Sequence, residues 1–509
     1  MILLILACHA TDPEPDGTPP GADPLLASTL AFGDPAAPAS ALATLHFARP
    51  MAVDLHGTDG RHDLTIHRDA ALTHQIPLVG LYAGATWAFN GTATDADGSW
   101  PLPERTVSTA PLPALFPHVT VRVAELDAMA PGWTLMPVTA PFVAGYLAAF
   151  DAEGEVAWWY TLAEPRALEI TPTVRGTLLF MWDYRELREI DWLGRTVRSV
   201  TSGLAREQTV PVAADSVHHE LFEDAAGRWI TLTGENVPHD AYPIDYRDPL
   251  VVDAVTVSHE PILAIDPTTG AIVDSWDPQA VLDPLRLAYD SLDFYNGAFD
   301  WAHTNAVADT GDGLLVSLRH QDAILKLRKD DGSLAWILAN PDNWSPAWAA
   351  LRLQPVGDVT WPYHQHAVKW DDGRVLMFDN RNYEASPWTD QRKVPYSVSS
   401  SRIVEYTVDE SAGTVAETFS FAPEPRVFSD KMGDADWLPN GNLLGTWAYV
   451  LYEGGVSMAE LGRGAPSSRV IEVQRDGTVV FDLDLWGDAD DPETPAWHTY
   501  RAERVLPPR

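Results

Sequence analysis

Six nitrogen-rich side chains lie beside two predicted strands near the middle of the chain. In two stretches, Phe299–Lys326 and Trp361–Asn382, imidazoles precede a polar turn that opens an apolar run. Apolar runs of this length bounded by turn residues, here Leu314–Leu318 and Val375–Phe378, predict β-strands. The side chains at or before these strands are His303, Asn305, Arg319, His320, His364 and His366. So many nitrogen bases and donors favour a site that holds an anion and moves it.

Other chemistries are weaker fits to the same residues. His364 and His366 could bind zinc with His218 or His219, but the Trp-Pro-Tyr segment before them makes regular strand geometry at His364 doubtful. An arginine in the set repels a cation and suits an oxyanion. The Asp-rich turns lack the ligand spacing of a calcium loop. No Gly-x-Ser-x-Gly elbow and no glycine-rich phosphate loop occurs, so we expect no metal, nucleotide or other cofactor.

Composition excludes several classes of partner and fold. The 509 residues include 72 acidic and 34 basic ones, for a formal net charge of -38. Such a charge repels phosphate backbones, so nucleic acid is not expected as a partner. Hydrophobic content of 46% provides for a sizeable core, and 20 Trp with 41 Pro favour short strands with many turns.

The only cysteine follows a short apolar run at the start of the sequence. Ile5-Leu6-Ala7-Cys8 looks like a bacterial lipobox, although no basic residue precedes it and the apolar run covers only Ile2–Ala7. We therefore expect residues 1–24 to be a lipoprotein-type signal and linker. Lipidation of Cys8 would anchor the protein to a membrane in the periplasm or at the cell surface. A single cysteine also excludes an intrachain disulfide.

Residues 25–111 predict a small β-sandwich domain. Short alternating runs such as Ala43–Phe47 and Leu64–His67 indicate strands that face water on one side. The segment Gly80–Pro111 resembles the closing strands of a fibronectin type III module, with a Leu-x-x-Gly-x-x-aromatic corner and an Asp-Gly turn. Such modules rarely carry chemistry, so we expect this one to pack against the larger domain.

Residues 112–509 repeat one pattern six times, which predicts a six-bladed β-propeller. Each copy has an apolar strand, a polar turn and a second strand, and most copies follow another apolar strand. Four-stranded repeats of this kind are the signature of propeller blades. The first copy has no obvious upstream strand, and the tail Trp497–Leu506 could supply one and close the ring. The copies are Gly145–Tyr160, Leu187–Val200, Pro261–Trp276, Ala323–Leu338, Ser401–Phe421 and Ser468–Trp486.

The propeller prediction brings the functional candidates together. His219, His303, Asn305, His366 and Asp434 all precede the apolar strand that comes before a copy. Because innermost strands line the central channel, residues distant in sequence should converge there. A single histidine at such a place would be more simply explained by local hydrogen bonding. Three imidazoles and an arginine at matched positions favour a site.

Several motifs resemble the bacterial arylsulfate sulfotransferase (ASST) family. They are HHELFEDAAGRWITL, DWAHTNAV followed by SLRHQDAILKL, and QHAVKWDDGRVLMFDN, and the similarity runs from about Gly145 onward. The family consists of six-bladed propellers, each preceded by a small β-sandwich. Its members move a sulfuryl group from an aryl sulfate to a phenol, without the nucleotide sulfate donor, through a sulfated histidine.

The resemblance assigns roles to individual residues. It implies that His366 is the nucleophile, that His303 and Arg319 bind the sulfuryl group, and that His219 completes the catalytic set. Residues expected to contact the substrate are Asn305, His320, His364 and Tyr363. The partners implied are an aryl sulfate donor and a phenolic acceptor, and the sequence leaves open whether the chain forms a homodimer.

Two departures from the family keep alternatives open. The family motif usually reads Gln-His-Asp, whereas Ala367 follows His366 here, so the orientation of the His366 ring needs another explanation. Well-known members also carry a disulfide, which this chain cannot form. A ligand-binding propeller without chemistry, or a metal- or quinone-dependent propeller enzyme, would share the fold.

Overall fold

The N-terminal domain is one five-stranded antiparallel sheet folded around its own core. The computed structural model describes residues 23–164, 166–203, 209–453, 456–457, 464–487 and 496–508. The lipobox and Cys8 lie outside these residues, so the lipid anchor stays a prediction. The strands of the domain are β1 (Leu25–Phe32), β2 (Ser40–Thr58), β3 (Asp63–Val79), β4 (Thr86–Asp95) and β5 (Gly98–Ser108).

The fibronectin III-like prediction for this domain is not confirmed. The long strand β2 pairs with β1 and β3 along its first half and with β3 and β4 along its second half. It thus joins all five strands into one sheet, where a sandwich of that type has two. The domain packs on the propeller as expected: the N–H of Asp34 donates to the Leu193 carbonyl at 2.7 Å, and the Tyr82 hydroxyl donates to Asp151 at 3.0 Å.

In the described part of the chain, six mainly antiparallel blade sheets follow, which confirms the all-β, six-bladed propeller. A connecting strand β6 (His118–Ala124) precedes blade 1, which contains β7 (Trp133–Ala140), β8 (Ala144–Phe150) and β9 (Val156–Thr161). Blade 2 contains β10 (Ala167–Pro172), β11 (Leu178–Trp182), β12 (Glu186–Ile190), β13 (Thr196–Ser202) and β14 (Val210–Val212).

Blade 3 carries an insertion that forms a separate small sheet. In chain order its strands are β15 (His218–Glu223), β16 (Trp229–Leu232), β17 (Glu235–Pro243), β18 (Val252–His259), β19 (Ile262–Ile265) and β20 (Ile272–Trp276). The 3-10 turn Pro278–Ala280 and the strands β21 (Phe294–Tyr295) and β22 (Ala298–Phe299) follow. Strands β15, β16, β19 and β20 form the blade, while β17, β18, β22 and β21 form the inserted sheet.

The last three blades complete the ring. Blade 4 contains β23 (Thr304–Asp309), β24 (Gly313–Leu318), the 3-10 turn Arg319–Gln321, β25 (Ala323–Arg328) and β26 (Leu334–Ala339), and the short helix α1 (Pro346–Ala349) follows. Blade 5 contains β27 (Gln354–Pro355), β28 (His366–Asp371), β29 (Arg374–Asp379), β30 (Arg402–Asp409) and β31 (Thr414–Phe421). Blade 6 contains β32 (Asp434–Trp437), β33 (Leu443–Glu453), β34 (Val456–Ser457), β35 (Ala465–Val473) and β36 (Val479–Trp486), and the tail strand is β37 (Glu503–Val505).

The apolar runs in the sequence are the middle strands of the blades. Every residue of β11 and β24 is buried, because neighbouring blades cover both faces of each sheet. One such core joins Leu315 and Trp336 of blade 4 to Met377 and Tyr406 of blade 5. Among the described residues, no helix is both long and apolar enough to cross a membrane.

Both ends of the propeller segment close the ring. As predicted for the tail, β37 pairs with β7 as the innermost strand of blade 1, with Val505 opposite Trp133. At the outer edge of blade 6, β6 pairs with β36. The C-terminal tail thus completes blade 1, and the segment that precedes blade 1 extends blade 6. These two pairings close the ring and fix the positions of the channel residues relative to one another.

Candidate active site

The innermost strands of blades 3, 4 and 5 are irregular where the predicted functional histidines lie. His219 (φ 60°), His303 (φ 49°) and Ala367 (φ 54°), which follows His366, have left-handed backbone conformations. Strand pairing shifts register at each of these places. Such bulges turn a side chain out of the regular alternation of a strand, and non-glycine residues in the left-handed region cluster at functional sites. The irregularities therefore set the directions of the imidazoles at the end of the channel.

A cavity of about 1130 Å³ lies where these strands begin. It is lined by His219, His303, Arg319 and His366, the four residues for which the sequence predicts catalytic roles. The ring centroids of His219 and His303 are 5.0 Å apart. Side chains from three blades thus share one cavity.

Asn380 holds the His366 ring in one tautomer. The Nδ1 atom of His366 lies 2.7 Å from Oδ1 of Asn380. The amide nitrogen of Asn380 donates to the carbonyl oxygens of Ser429 and Met432, both at 2.9 Å. Because both amide hydrogens are used, Oδ1 accepts a hydrogen bond from the ring and Nδ1 carries the proton. The lone pair of His366 is therefore on Nε2.

His366 is kept neutral by its surroundings. Burial lowers its pKa well below the usual value, and the positive charge of Arg319 lowers it further. The backbone N–H of Met432 donates to Nε2 at 3.3 Å, as expected if that nitrogen has the lone pair. A buried, neutral imidazole with a fixed lone pair is suited to nucleophilic attack.

The guanidinium of Arg319 is held at two of its nitrogens. Nη1 lies 2.6 Å from Nε2 of His320, and Nη2 donates to the Asp430 carbonyl at 3.1 Å. The other nitrogen of His320, Nδ1, lies 2.6 Å from the Asp300 carbonyl and must donate to it, so Nε2 accepts from the arginine. The buried Nε of Arg319 has no partner among the described residues. A planar cation fixed in this way is suited to bind a sulfuryl group.

His303 forms a pair with a buried carboxylate. Its Nδ1 lies 2.6 Å from Oδ2 of Asp300. Burial alone would raise the pKa of Asp300, but His303 and the other nearby cations outweigh burial and lower the pKa. The carboxylate is therefore ionised, and its hydrogen bond orients the ring of His303.

His219 forms a pair with its neighbour His218. Their Nδ1 atoms lie 2.7 Å apart, and His218 also hydrogen-bonds to the backbone of Thr233. Burial lowers the pKa of His218 to about 4 and that of His219 well below its usual value. Since the Thr233 carbonyl accepts from one nitrogen of His218, the other accepts from His219, whose Nε2 keeps a lone pair.

The predicted zinc alternative does not fit these contacts. His364 lies between Asp290 (3.1 Å) and Asp322 (2.9 Å), while His366 faces Asn380, so the two imidazoles do not converge. Burial alone would lower the pKa of His364, but the two carboxylates outweigh burial and raise it.

A second set of possible metal ligands lies beside the arginine. Asp300, His303 and His320 have ligand atoms within 4.8 Å of one another. However, Nη1 of Arg319 already donates to His320, and this cation opposes a second one. The donor set thus suits an anion better than a metal ion.

Residues 120–492 match the arylsulfotransferase (ASST) family. The chain belongs to this family.

Two arylsulfate sulfotransferases AssT, from Lelliottia amnigena and Escherichia coli O6:H1, are each 26% identical to this chain, over 354 and 349 residues. Each alignment covers 56% of this chain and 54% of the relative, so the chain spans about half the length of the curated relatives that it matches. A solved structure from Bacteroides caccae, of unknown function, aligns with a TM-score of 0.40 and 12% identity over 74% of this chain and 100% of that one.

The four residues predicted to contact substrate do not line the cavity. His320 orients Arg319, and His364 binds two carboxylates. The amide of Asn305 donates to the Gln365 carbonyl at 2.8 Å, which holds the backbone before His366. Tyr363 is half-buried, and its N–H donates to Asp379. Three of the four therefore support the site from behind.

Further cavity and supporting residues were not predicted. Asp300 lies three positions before His303. This spacing is visible in the sequence, but it does not predict the hydrogen bond between the two side chains unless the conformation of the turn is known. Asn380 follows the strand after His366. Asp434, singled out in the sequence, does not line the cavity and lies 3.4 Å from the Lys369 ammonium. Blade 6 and the C-terminal tail contribute Lys431, Met432, His498 and Tyr500 to the cavity lining.

The role of Asn380 gives a testable expectation. Asn380→Ala should slow sulfuryl transfer roughly tenfold or more, as for partners that orient ligating histidines in metal sites, because the His366 ring loses its acceptor. The matched control is Asn442→Ala, since Asn442 is a buried asparagine that donates to the Ala128 carbonyl at 2.9 Å and does not line the cavity. The measurement is the single-turnover rate of each variant with an aryl sulfate. Equal rates in the two variants would contradict a specific role for Asn380.

Proposed function

We propose that this arylsulfotransferase moves a sulfuryl group from an aryl sulfate to a phenol through a covalent adduct on Nε2 of His366, without a nucleotide donor. The observation that carries the proposal is the fixed tautomer of His366, whose lone pair lies at a cavity that also contains Arg319. Membership of the family supports sulfuryl transfer. Because the chain spans about half of its curated relatives, the donor and acceptor classes are part of the proposal.

In the first half-reaction, Nε2 of His366 forms a bond to sulfur while the bond between sulfur and the aryl oxygen breaks. The electron pair of that bond leaves with the aryl oxygen, which takes a proton from His303 or from water. Arg319 binds the sulfuryl oxygens and stabilises the charge spread over them. Asp300 holds the His303 ring ready to donate.

In the second half-reaction, a phenol takes the place of the first aryl group. Its oxygen attacks sulfur as its proton passes to Nε2 of His219, and the bond between sulfur and nitrogen breaks with its electron pair returning to His366. When His303 was the proton donor, the proton then passes from His219 to His303, whose ring centroid is 5.0 Å away, directly or through water, and both imidazoles are restored. A neutral imidazole with a lone pair can act as this base. The burial that lowers the pKa of His219 keeps it in that form.

Steady-state kinetics test the proposal. With 4-nitrophenyl sulfate and phenol varied together, double-reciprocal plots should be parallel, and donor alone should release a stoichiometric burst of 4-nitrophenol. A chelator should leave turnover unchanged. A nucleotide sulfate donor supplied in place of the aryl sulfate should not support turnover. Intersecting lines without a burst, or turnover that depends on a metal, would contradict the proposal.

The burst should also have a distinctive pH dependence. Nitrophenolate leaves without needing a proton, so the burst rate reports the protonation of the nucleophile. An ordinary imidazole is half protonated near pH 6.5, and its lone pair is lost as the pH falls further. Because the pKa of His366 is lowered well below that value, we expect a constant burst rate from about pH 8 to below pH 6.5. A rate that halves near pH 6.5 would show that the imidazole is not perturbed.

A further inference from the structure

A short loop in blade 6 touches both His366 and Arg319. The carbonyl of Asp430 accepts from Nη2 of Arg319 at 3.1 Å, and the N–H of Met432 donates to Nε2 of His366 at 3.3 Å. Between them, the side chain of Lys431 lines the cavity. Met432 has a left-handed backbone (φ 61°), and a Cβ on the next residue, Gly433, would lie 2.3 Å from Phe378. The position of Lys431 is therefore fixed by the packing of its neighbours.

Lys431 has no carboxylate partner among the residues that the structure describes. Its ammonium lies 4.1 Å from the centroid of the Tyr449 ring, and no Asp or Glu oxygen of the described residues lies within ion-pair distance. Burial raises the pKa of the adjacent Asp430, while the charges of Lys431 and Arg319 lower it. In a chain with 72 acidic and 34 basic residues, an unpaired lysine at a cavity is a candidate for binding an anion from outside.

The charge of Lys431 acts away from the reacting atoms. Its ammonium lies over the Tyr449 ring, whose centroid is 5.4 Å from that of the His498 ring. Lys431 acts instead on His498 at the cavity wall, whose pKa is lowered to about 4 by burial and then by the ammonium. His498 is therefore neutral and does not compete for an anion. The space beside Lys431 thus suits a part of the substrate other than the transferred sulfuryl group.

We propose that Lys431 binds an anionic substituent on the aromatic ring of the substrate, so that the preferred donors and acceptors are acidic arenes such as phenols with a carboxylate. The inference rests on the proposed function, because donor and acceptor occupy the same cavity in turn. A cavity of about 1130 Å³ lies at the upper end of the range for small-molecule sites, so it has room for a substituted ring.

The test compares two acceptors that differ in one charge. With 4-nitrophenyl sulfate as donor, kcat/KM is measured for 4-hydroxybenzoate and for its methyl ester, and their ratio is compared between variants. Lys431→Met should lower the ratio by about tenfold, and Lys431→Arg should retain most of it. The wild-type ratio should also fall as salt is added.

Lys393→Met is the matched control. The Lys393 ammonium also lies on tyrosine rings, 3.8 Å from Tyr289 and 3.7 Å from Tyr383, but its side chain does not line the cavity. This variant should leave the acceptor ratio unchanged. A change equal to that of Lys431→Met would mean that a general loss of positive charge, and not a subsite, explains the preference.

Other outcomes separate this inference from the proposed function. If Lys431→Met slows transfer to both acceptors equally, Lys431 acts on the transferred group and the inference is wrong while the function stands. If the ratio does not change, the inference is also wrong. If wild type transfers to neither acceptor, the proposed function fails, and calorimetric binding of 4-hydroxybenzoate and its ester to wild type and Lys431→Met still decides the inference: only a loss of preference for the acid in the variant supports it.

Discussion

His366→Asn should lower sulfuryl transfer by at least about a thousandfold, because covalent routes collapse when the nucleophile is removed. An amide has no comparable lone pair for attack on sulfur. It is smaller than imidazole and polar, so the variant should still fold and bind the donor. The measurement is 4-nitrophenol release in the presence of phenol, with donor binding by calorimetry.

The control for this variant is His118→Asn, which changes an exposed imidazole on the connecting strand β6. It should leave transfer unchanged. Near-normal transfer by His366→Asn in an otherwise active protein would rule out the covalent route through this residue.

Arg319→Lys should lower kcat/KM by about 10²–10³-fold, the loss typical of removing one preorganised donor from a transition state. The guanidinium is fixed between His320 and the Asp430 carbonyl, so its planar fork meets the sulfuryl oxygens in one orientation. A lysine ammonium is a point charge on a flexible stem and cannot reproduce the fork.

Arg185→Lys is the control, because Arg185 is an exposed arginine that also lines the cavity. Its replacement should change kcat/KM little. If Arg319→Lys retained full activity, the fork geometry would be unimportant and only positive charge would be needed.

The departure at Ala367 has a physical explanation in the structure. The sequence left the orientation of His366 unexplained where the family usually has an acid. Asn380 supplies the hydrogen bond to Nδ1, and its own amide hydrogens are used by two backbone carbonyls. Ring orientation therefore does not depend on the side chain at position 367. Asn380 could not be assigned this role from sequence, because pairing across two strands depends on their register.

Local patterns predicted the blades well and the N-terminal domain less well. The apolar runs Leu314–Leu318 and Val375–Phe378 fall inside β24 and β29, since turn residues bound them on both sides. The strand Trp133–Ala140 was missed because Thr134, Pro137 and Thr139 interrupt its apolar run, although all of its residues are buried. In the N-terminal domain, alternation predicted strands, but nothing local shows that β2 runs through both halves.

Only those cavity residues whose side-chain type and local position stand out could be predicted from the sequence. His219, His303 and His366 stand out by type and by position before their strands, and Arg319 by type and by its position directly after β24. Lys431, His498 and Tyr500 come from blade 6 and the C-terminal tail, and ring closure brings them to the cavity. Asn305 and His320 matched the chemistry expected of contacts to substrate, but burial places them behind the residues that line the cavity.

The most direct test of the covalent mechanism is to treat wild type with an aryl sulfate and no acceptor, and then to locate the modification by mass spectrometry. We expect a mass increase of one SO₃ group, mapped to His366 and lost when phenol is added. His366→Asn treated in the same way should show none. An unmodified wild-type protein that nevertheless transfers sulfuryl groups to phenol, or an adduct on another residue, would contradict the account.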